Sequence, residues 1–150
     1  MYDAIGLPVF SSNGKHLAYQ ARKGDKWVVL KDGVESPEYD SVDSLVWAMN
    51  GKHLAFNAQK HQRWFVIVGS QAFDAFNLVG DGSPMFSPDG QHIVYASQKG
   101  TKFFVAVDGT PGAEYDGVAK GSPIVNADGG VEYLAVREKS LYRVRYIPQP

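Results

Sequence analysis

Cysteine is missing from this chain of 150 residues. Its absence excludes disulfides and thiolate metal sites and leaves the redox compartment open. A surplus of either charge is missing as well. Fifteen basic and 16 acidic residues leave a formal net charge of −1, so no long-range field draws the chain to nucleic acid or to an anionic membrane. Nor is there a basic stripe; Arg143 with Arg145 is the densest cationic cluster. No apolar run approaches the roughly 20 residues that a membrane span needs. Met1-Tyr2-Asp3-Ala4 carries neither the basic nor the apolar region of a signal peptide. The expectation is a soluble chain without nucleic-acid or membrane partners. It would be cytoplasmic, or periplasmic if a leader has been removed.

What is present is one phrase written four times. It reads PVFSSNGKHLAYQA from Pro8, LVWAMNGKHLAFNA from Leu45, PMFSPDGQHIVYAS from Pro84 and PIVNADGGVEYLAV from Pro123. Its turn glycines, Gly14, Gly51, Gly90 and Gly129, are spaced 37, 39 and 39 residues apart. A fixed period of that size is one supersecondary unit copied in series. The repeats run approximately 8–44, 45–83, 84–122 and 123–150, the last joined by 1–7, within one domain over 1–150.

Each unit holds strand signals and no helix signal. In the third, Met85-Phe86 precedes a Ser-Pro-Asp-Gly turn, and His92 to Ala96 is β-rich. Phe103 to Val107 is more apolar still, Asp108-Gly109 is a hairpin dipeptide, and Glu114 to Val118 reads as a shorter fourth strand. Aromatics recur by position: Tyr19, Phe56 and Tyr95; Trp27, Trp64 and Phe103; Tyr39, Phe76 and Tyr115. Four strands per unit at this period describe an all-β fold, a β-propeller of four blades of four antiparallel strands. The aromatics fill the gap of about 10 Å between stacked sheets.

The fourth unit lacks a Tyr-Asp strand. Tyr2-Asp3-Ala4-Ile5-Gly6 resembles that strand, which predicts that the N-terminal segment completes the last blade. Closure within one chain would give a four-bladed ring. Closure onto a second copy would give a homodimer forming an eight-bladed ring. A third reading is a piece of a longer propeller.

Phe86-Ser87-Pro88-Asp89-Gly90-Gln91-His92-Ile93-Val94-Tyr95 resembles the WD-like repeats of bacterial TolB-type β-propellers, whose units typically read FSPDGK-x-IAY. The likeness extends along the whole chain, although only the third unit keeps the full turn. It implies a propeller of usually six to eight blades, acting as a scaffold for protein contacts or as the non-catalytic partner of a hydrolase. It implies no shared catalytic residues, and its blade number favours the dimeric ring.

The residues themselves point away from catalysis. His16, His53 and His92 share one repeat position and would lie far apart around a ring, whereas a metal needs its nitrogen ligands within about 2.0–2.2 Å. No serine lies in G-x-S-x-G. Asp3, Asp40, Asn77 and Asp116 share another position. An Asn there suits a hydrogen bond to a turn backbone better than a titrating acid. The Gly-rich pieces at 80–83 and 109–112 do not lead from a strand into a helix, as phosphate-cradling loops do. The expected protein is therefore no enzyme and takes no cofactor. Inter-blade loops 41–45, 79–83 and 118–122, with Gly6-Leu7, differ from unit to unit, and they hold the candidate binding residues Asp43, Ser44, Asp81, Ser83, Lys120 and Ser122. Alternatives are a propeller domain of a larger hydrolase or peptidase, or a binder of carbohydrate or a small ligand at the channel mouth.

Overall fold

A computed structural model describes residues 1–80 and 82–149. Among these the regular structure is strand throughout. In chain order the strands are β1 (Ala4–Ile5), β2 (Val9–Phe10), β3 (Leu17–Lys23), β4 (Lys26–Lys31), β5 (Val34–Glu35), β6 (Ser41–Trp47), β7 (Leu54–Lys60), β8 (Arg63–Val68) and β9 (Gln71–Phe76). They continue as β10 (Leu78–Val79), β11 (Met85–Phe86), β12 (Ile93–Lys99), β13 (Lys102–Val107), β14 (Thr110–Pro111), β15 (Gly117–Val118), β16 (Ile124–Val125), β17 (Val131–Arg137) and β18 (Ser140–Tyr146). No described helix is long and apolar enough to cross a membrane.

Every unit is built around a long antiparallel hairpin: β3–β4, β7–β8, β12–β13 and β17–β18. The phrase glycines before the hairpins stand at φ between 69° and 84° (Gly14, Gly51, Gly90, Gly129), a conformation that disfavours any side chain. An inner strand flanks each hairpin. It is split into β1 and β2, β10 and β11, and β15 and β16 in three units, and runs through a register shift between Asp43 and Val46 as β6 in the other. The outer strand is β5 in the first unit, β9 in the second and β14 in the third. The second and third units join into one nine-stranded sheet through a parallel bridge, Gln98 to Phe76.

Two expectations change here. Ala4 and Ile5 pair with Arg22 and Ala21 of β3, and the backbone N–H groups of Asp3 and Gly6 donate to Arg22 and Gln20. The N-terminal strand is thus the inner strand of its own first unit, so the last blade is not completed by it. Among the described residues the last unit has three strand positions, with β18 at its edge. The physical reason lies in the Tyr-Asp-x-Val phrase, which straddles two units. Tyr39 bridges back to Trp27, whereas Ser41 and Val42 pair forward with Gln59 and Ala58; Tyr115 and Gly117 divide in the same way. The segment 41–45 accordingly lies in strand, not in a loop.

Alternation along the strands gives each unit two faces. One, here the leading face, carries Leu17, Tyr19, Ala21, Val28 and Leu30 in the first unit. The other, the trailing face, carries Ala18, Gln20, Trp27 and Val29. The core is three head-to-tail joints. Ala18 and Val29 pack against Leu54, Phe56, Ala58 and Ile67. Ala55 and Val66 pack against Ile93, Tyr95, Phe104 and Ala106. Val94 and Val105 pack against Val131, Tyr133 and Ala135. The repeated aromatics cross each joint edge to face: Tyr39 on Phe56 at 5.9 Å, Phe76 on Phe104 at 5.8 Å and Tyr115 on Tyr133 at 6.1 Å. Such a pair adds about 0.5–1.5 kcal/mol to the burial of its area. Burial also pushes the Tyr95 and Tyr133 phenols up to about 12.

Candidate binding surfaces

The polar side chains that repeat are held as clamps. Asp40 accepts the His61 N–H at 2.9 Å, Asn77 the Gly100 N–H at 2.7 Å, Asp116 the Glu138 N–H at 2.9 Å and Asp3 the Gly24 N–H at 2.6 Å. Each caps the hairpin turn of the unit that follows it. Asp40 and Asp116 also take a lysine of the unit before, Lys26 and Lys102 respectively. These lysines, then the turn N–H groups, hold both carboxyls below their ordinary value. An amide performs the turn contact as well as a carboxylate does, which is why Asn77 is tolerated.

The histidines have a partner that sequence reasoning missed. His16 Nδ1 lies 2.8 Å from Asp32 and His92 Nδ1 lies 2.6 Å from Asp108. The other oxygen of each carboxylate accepts the N–H of Leu17 or Ile93, both at 2.9 Å. The Leu17 N–H, then His16, lowers the Asp32 carboxyl. A signal was present: both pairs are separated by 16 residues, and the residue 16 positions after His53 is Gly69. Among the described residues no group of three or more His, Asp or Glu is placed to hold a metal.

The predicted binding residues fall at two separate joints. Asp43 accepts a hydrogen bond from Asn57 Nδ2 at 3.0 Å, and the same amide donates to the Ser83 carbonyl at 2.9 Å. Asn57 is 3% exposed and its Oδ1 has no partner. Ser44 is exposed in the register shift, at φ 56°. Ser83 is buried, and its hydroxyl accepts the Ala96 N–H at 3.0 Å. Ser122 does the same for Leu134 at 3.4 Å. Both serines precede a cis proline. They act as ladder substitutes. Lys120 is exposed and shares a hollow of about 210 Å³ with Ser122, Val79 and Gln98. Asp81 lies outside the described residues. Asp43, Ser44 and Lys120 are exposed, while the Ser83 and Ser122 hydroxyls are engaged with backbone N–H groups.

Two further clefts open at the outer edge of the joints. One of about 630 Å³, between the first and second units, is walled by Val29, Tyr39, Leu54, Phe56 and Ile67. The other, about 420 Å³, lies at the equivalent place between the third and fourth, walled by Val105, Tyr115, Tyr133 and Val144. Both sit where the outer strand has two residues, β5 and β14. Pro37 and Pro111 stand in those short outer segments and provide no N–H for pairing. At the middle joint β9 has six residues and no proline. The clefts were legible as prolines in the fourth strand position.

No family model and no curated relative matches the sequence. Solved structures do. A crystal structure of TolB from Acinetobacter baumannii superposes at TM-score 0.54 and 16% identity, covering 95% of this chain and 41% of that one. A crystal structure of the eukaryotic initiation factor superposes at TM-score 0.52 and 15% identity, covering 98% and 42%. At such identities the likeness concerns the fold alone: stacked β-sheets of the TolB-like kind. The chain spans about two-fifths of the length of each of these structures.

Proposed function

We propose that this chain is a non-catalytic β-propeller scaffold that binds protein, with four blades, the fourth lacking its outer strand. The observation that supports it is the occupation of the repeated polar groups. Asp3, Asp40, Asn77 and Asp116 cap turns, His16 and His92 pair with turn aspartates, and Ser83 and Ser122 complete ladders. General acid–base chemistry needs such groups aimed at a substrate; here the Asp, Asn and Ser groups are aimed at backbone and the two histidines at carboxylates. What is left for recognition is surface: Asp43, Ser44 and Lys120 at the inner edge, and the outward faces of the first and last units. Loops and rims held on a rigid sheet scaffold are where binding residues collect.

The partner is a protein, either a second copy closing an eight-bladed ring or a different chain. Proximity cross-linking of the wild type against Ser44→Arg/Lys120→Glu tests the loop part. The expected outcome is loss of cross-links in the variant at unchanged thermal stability. Turnover of ester, peptide or phosphate substrates by the purified chain, abolished by His92→Ala, would overturn the non-catalytic reading.

The apolar outer clefts favour a second reading, a small apolar ligand rather than one at the channel mouth. Their volumes lie in the range of ligand pockets. A thermal-shift screen decides it, since a ligand at 100 times its dissociation constant adds about 2.7 kcal/mol.

A further inference from the structure

The first three units place different residues at one point of the outer strand, and that point decides whether a joint is filled. In β9 it is Phe73, opposite Val66. Ser36 and Gly112 hold the same point in the first and third units, where their N–H groups donate to the Val29 and Val105 carbonyls at 2.8 and 2.9 Å. Val29, Val66 and Val105 are themselves equivalent, each two residues after Trp27, Trp64 or Phe103. At the middle joint the Phe73 ring reaches across to Gly109 of the next unit and lies so close that no side chain fits there. At the first joint the ring is missing. The counterpart of Gly109 is Ser70, in the turn that joins β8 to β9.

The cleft of about 630 Å³ at the first joint is this unfilled place, and Ser36 and Ser70 both line it. Its floor is closed: Val29, Leu54, Phe56 and Ile67 are 2%, 5%, 5% and 6% exposed. The room lies above that floor, beside the exposed apolar walls Val34 and Ala72. Three charged side chains also line it, Lys31, Asp32 and Glu35. Both carboxylates are engaged. Asp32 accepts the Leu17 N–H and pairs with His16, and Glu35 takes the Tyr2 hydroxyl at 2.7 Å and Lys23 at 2.6 Å. Lys31 pairs with no carboxylate among the described residues; its Nζ lies 5.4 Å from the centre of the Trp47 ring. Val68 and Val107 stand at its place in the next two units. Of the two joints without the ring, the first alone has a cation at this point. In the other cleft Asp108 pairs with His92 and Arg145 with Asp128.

We infer that the first outer cleft is a site for a small aromatic carboxylic acid, whose ring takes the place that Phe73 fills at the middle joint and whose carboxylate is met by Lys31. Shape selects the ring. Ser36 leaves the place open without adding a free polar group, since its hydroxyl accepts the Val29 N–H and donates to the Pro37 carbonyl. A ring set on the apolar floor gains the burial that an aromatic side chain gains in a sheet core. Charge selects the acid. The carboxylates at the rim already have their donors, and the cation does not have its anion, so an amine would find no open partner there. This rests on the small-ligand reading of the outer clefts and names the ligand's class.

The test holds the ring constant and varies the charge. 2-Naphthylacetate, 2-naphthylacetamide and 2-(2-naphthyl)ethylamine are each titrated into the chain, and backbone amide shifts are followed by NMR, with thermal unfolding to verify folding. The acid is expected to shift amides of 31–36 and 67–72 and to bind about fivefold more tightly than the amide, with the amine weakest. Lys31→Val, which copies Val68, should bring the acid down to the affinity of the amide. Lys31→Glu should make the amine the tightest of the three. Lys31 is exposed, so neither variant disturbs the core. Ser36→Phe with Ser70→Gly rebuilds the arrangement of Phe73 and Gly109 and should abolish binding of all three probes. Equal binding of acid and amide at these amides overturns the role of Lys31 while the small-ligand reading stands. Shifts confined to other parts of the chain, or none with any probe at millimolar concentration, overturn the site and that reading together.

Discussion

The middle joint and the last hairpin are built from the same repeat and differ most in how they are covered. At the middle joint Tyr95 is fully buried, Phe76 and Phe104 meet edge to face, and the outer strand β9 runs for six residues. In the last hairpin, β18 pairs on one side only among the described residues, and Leu141 is 68% exposed. Sequence similarity between units therefore does not mean similar stability. In a stack that touches only its neighbours, stability is set by intrinsic unit terms and joint terms. Among the described residues the last unit forms one joint, and the second and third form two each. The comparison predicts that the last hairpin opens before the middle joint.

The largest test of that contrast is Tyr95→Ala. It empties the middle joint and removes the hydrogen bond to the Asp74 carbonyl at 3.1 Å. The expected loss is about 3–5 kcal/mol, as for other large core aromatics, read by urea unfolding. A two-step transition would mean that the halves have been uncoupled. Asn57→Ala is next. It leaves the Ser83 carbonyl and Asp43 without their shared donor, with an expected loss of about 1–3 kcal/mol. Thermal unfolding measures it, and a change below a few tenths would mean that water replaces the amide.

Acid gives a third test. Asp40, Asp116, Asp32 and Glu132 are all held below their ordinary values. A lowered carboxyl contributes stability above its unfolded pKa, and that contribution is lost as pH falls through the folded one. Melting temperature should fall below about pH 4, where free carboxylates begin to protonate. Asp40→Asn, which retains the turn acceptor and loses the charge, should flatten part of that fall. An unaltered profile would remove the lysine clamp as its cause. The smallest effect is expected at Leu141→Ala, within about 0.5 kcal/mol, because the side chain is already in water. Hydrogen exchange completes the comparison: amides of β18 should exchange far faster than those of β8 and β13.

Particular residues mark how much was legible in advance. Asn77 among aspartates revealed a turn acceptor, and the structure has it accepting the Gly100 N–H. The period and the glycines located the four hairpins. The Tyr-Asp phrase misled because one continuous stretch was taken as one strand. Its tyrosine ends one unit and the residues after the aspartate begin the next, and nothing in local propensity marks that boundary. Ser83 and Ser122 looked like variable loop positions. Only the fold shows their hydroxyls standing in for a ladder carbonyl.

By itself the sequence determined the repeat and the strands, because those depend on periodicity and turn chemistry within a few residues. The joints, the clamps between units and the pairing of Glu132 with Arg143 were decided only in the tertiary structure. They depend on which face of a strand meets which neighbour. Residues one position apart in sequence are sent to opposite sides, and pairs 16 to 38 positions apart are brought into contact.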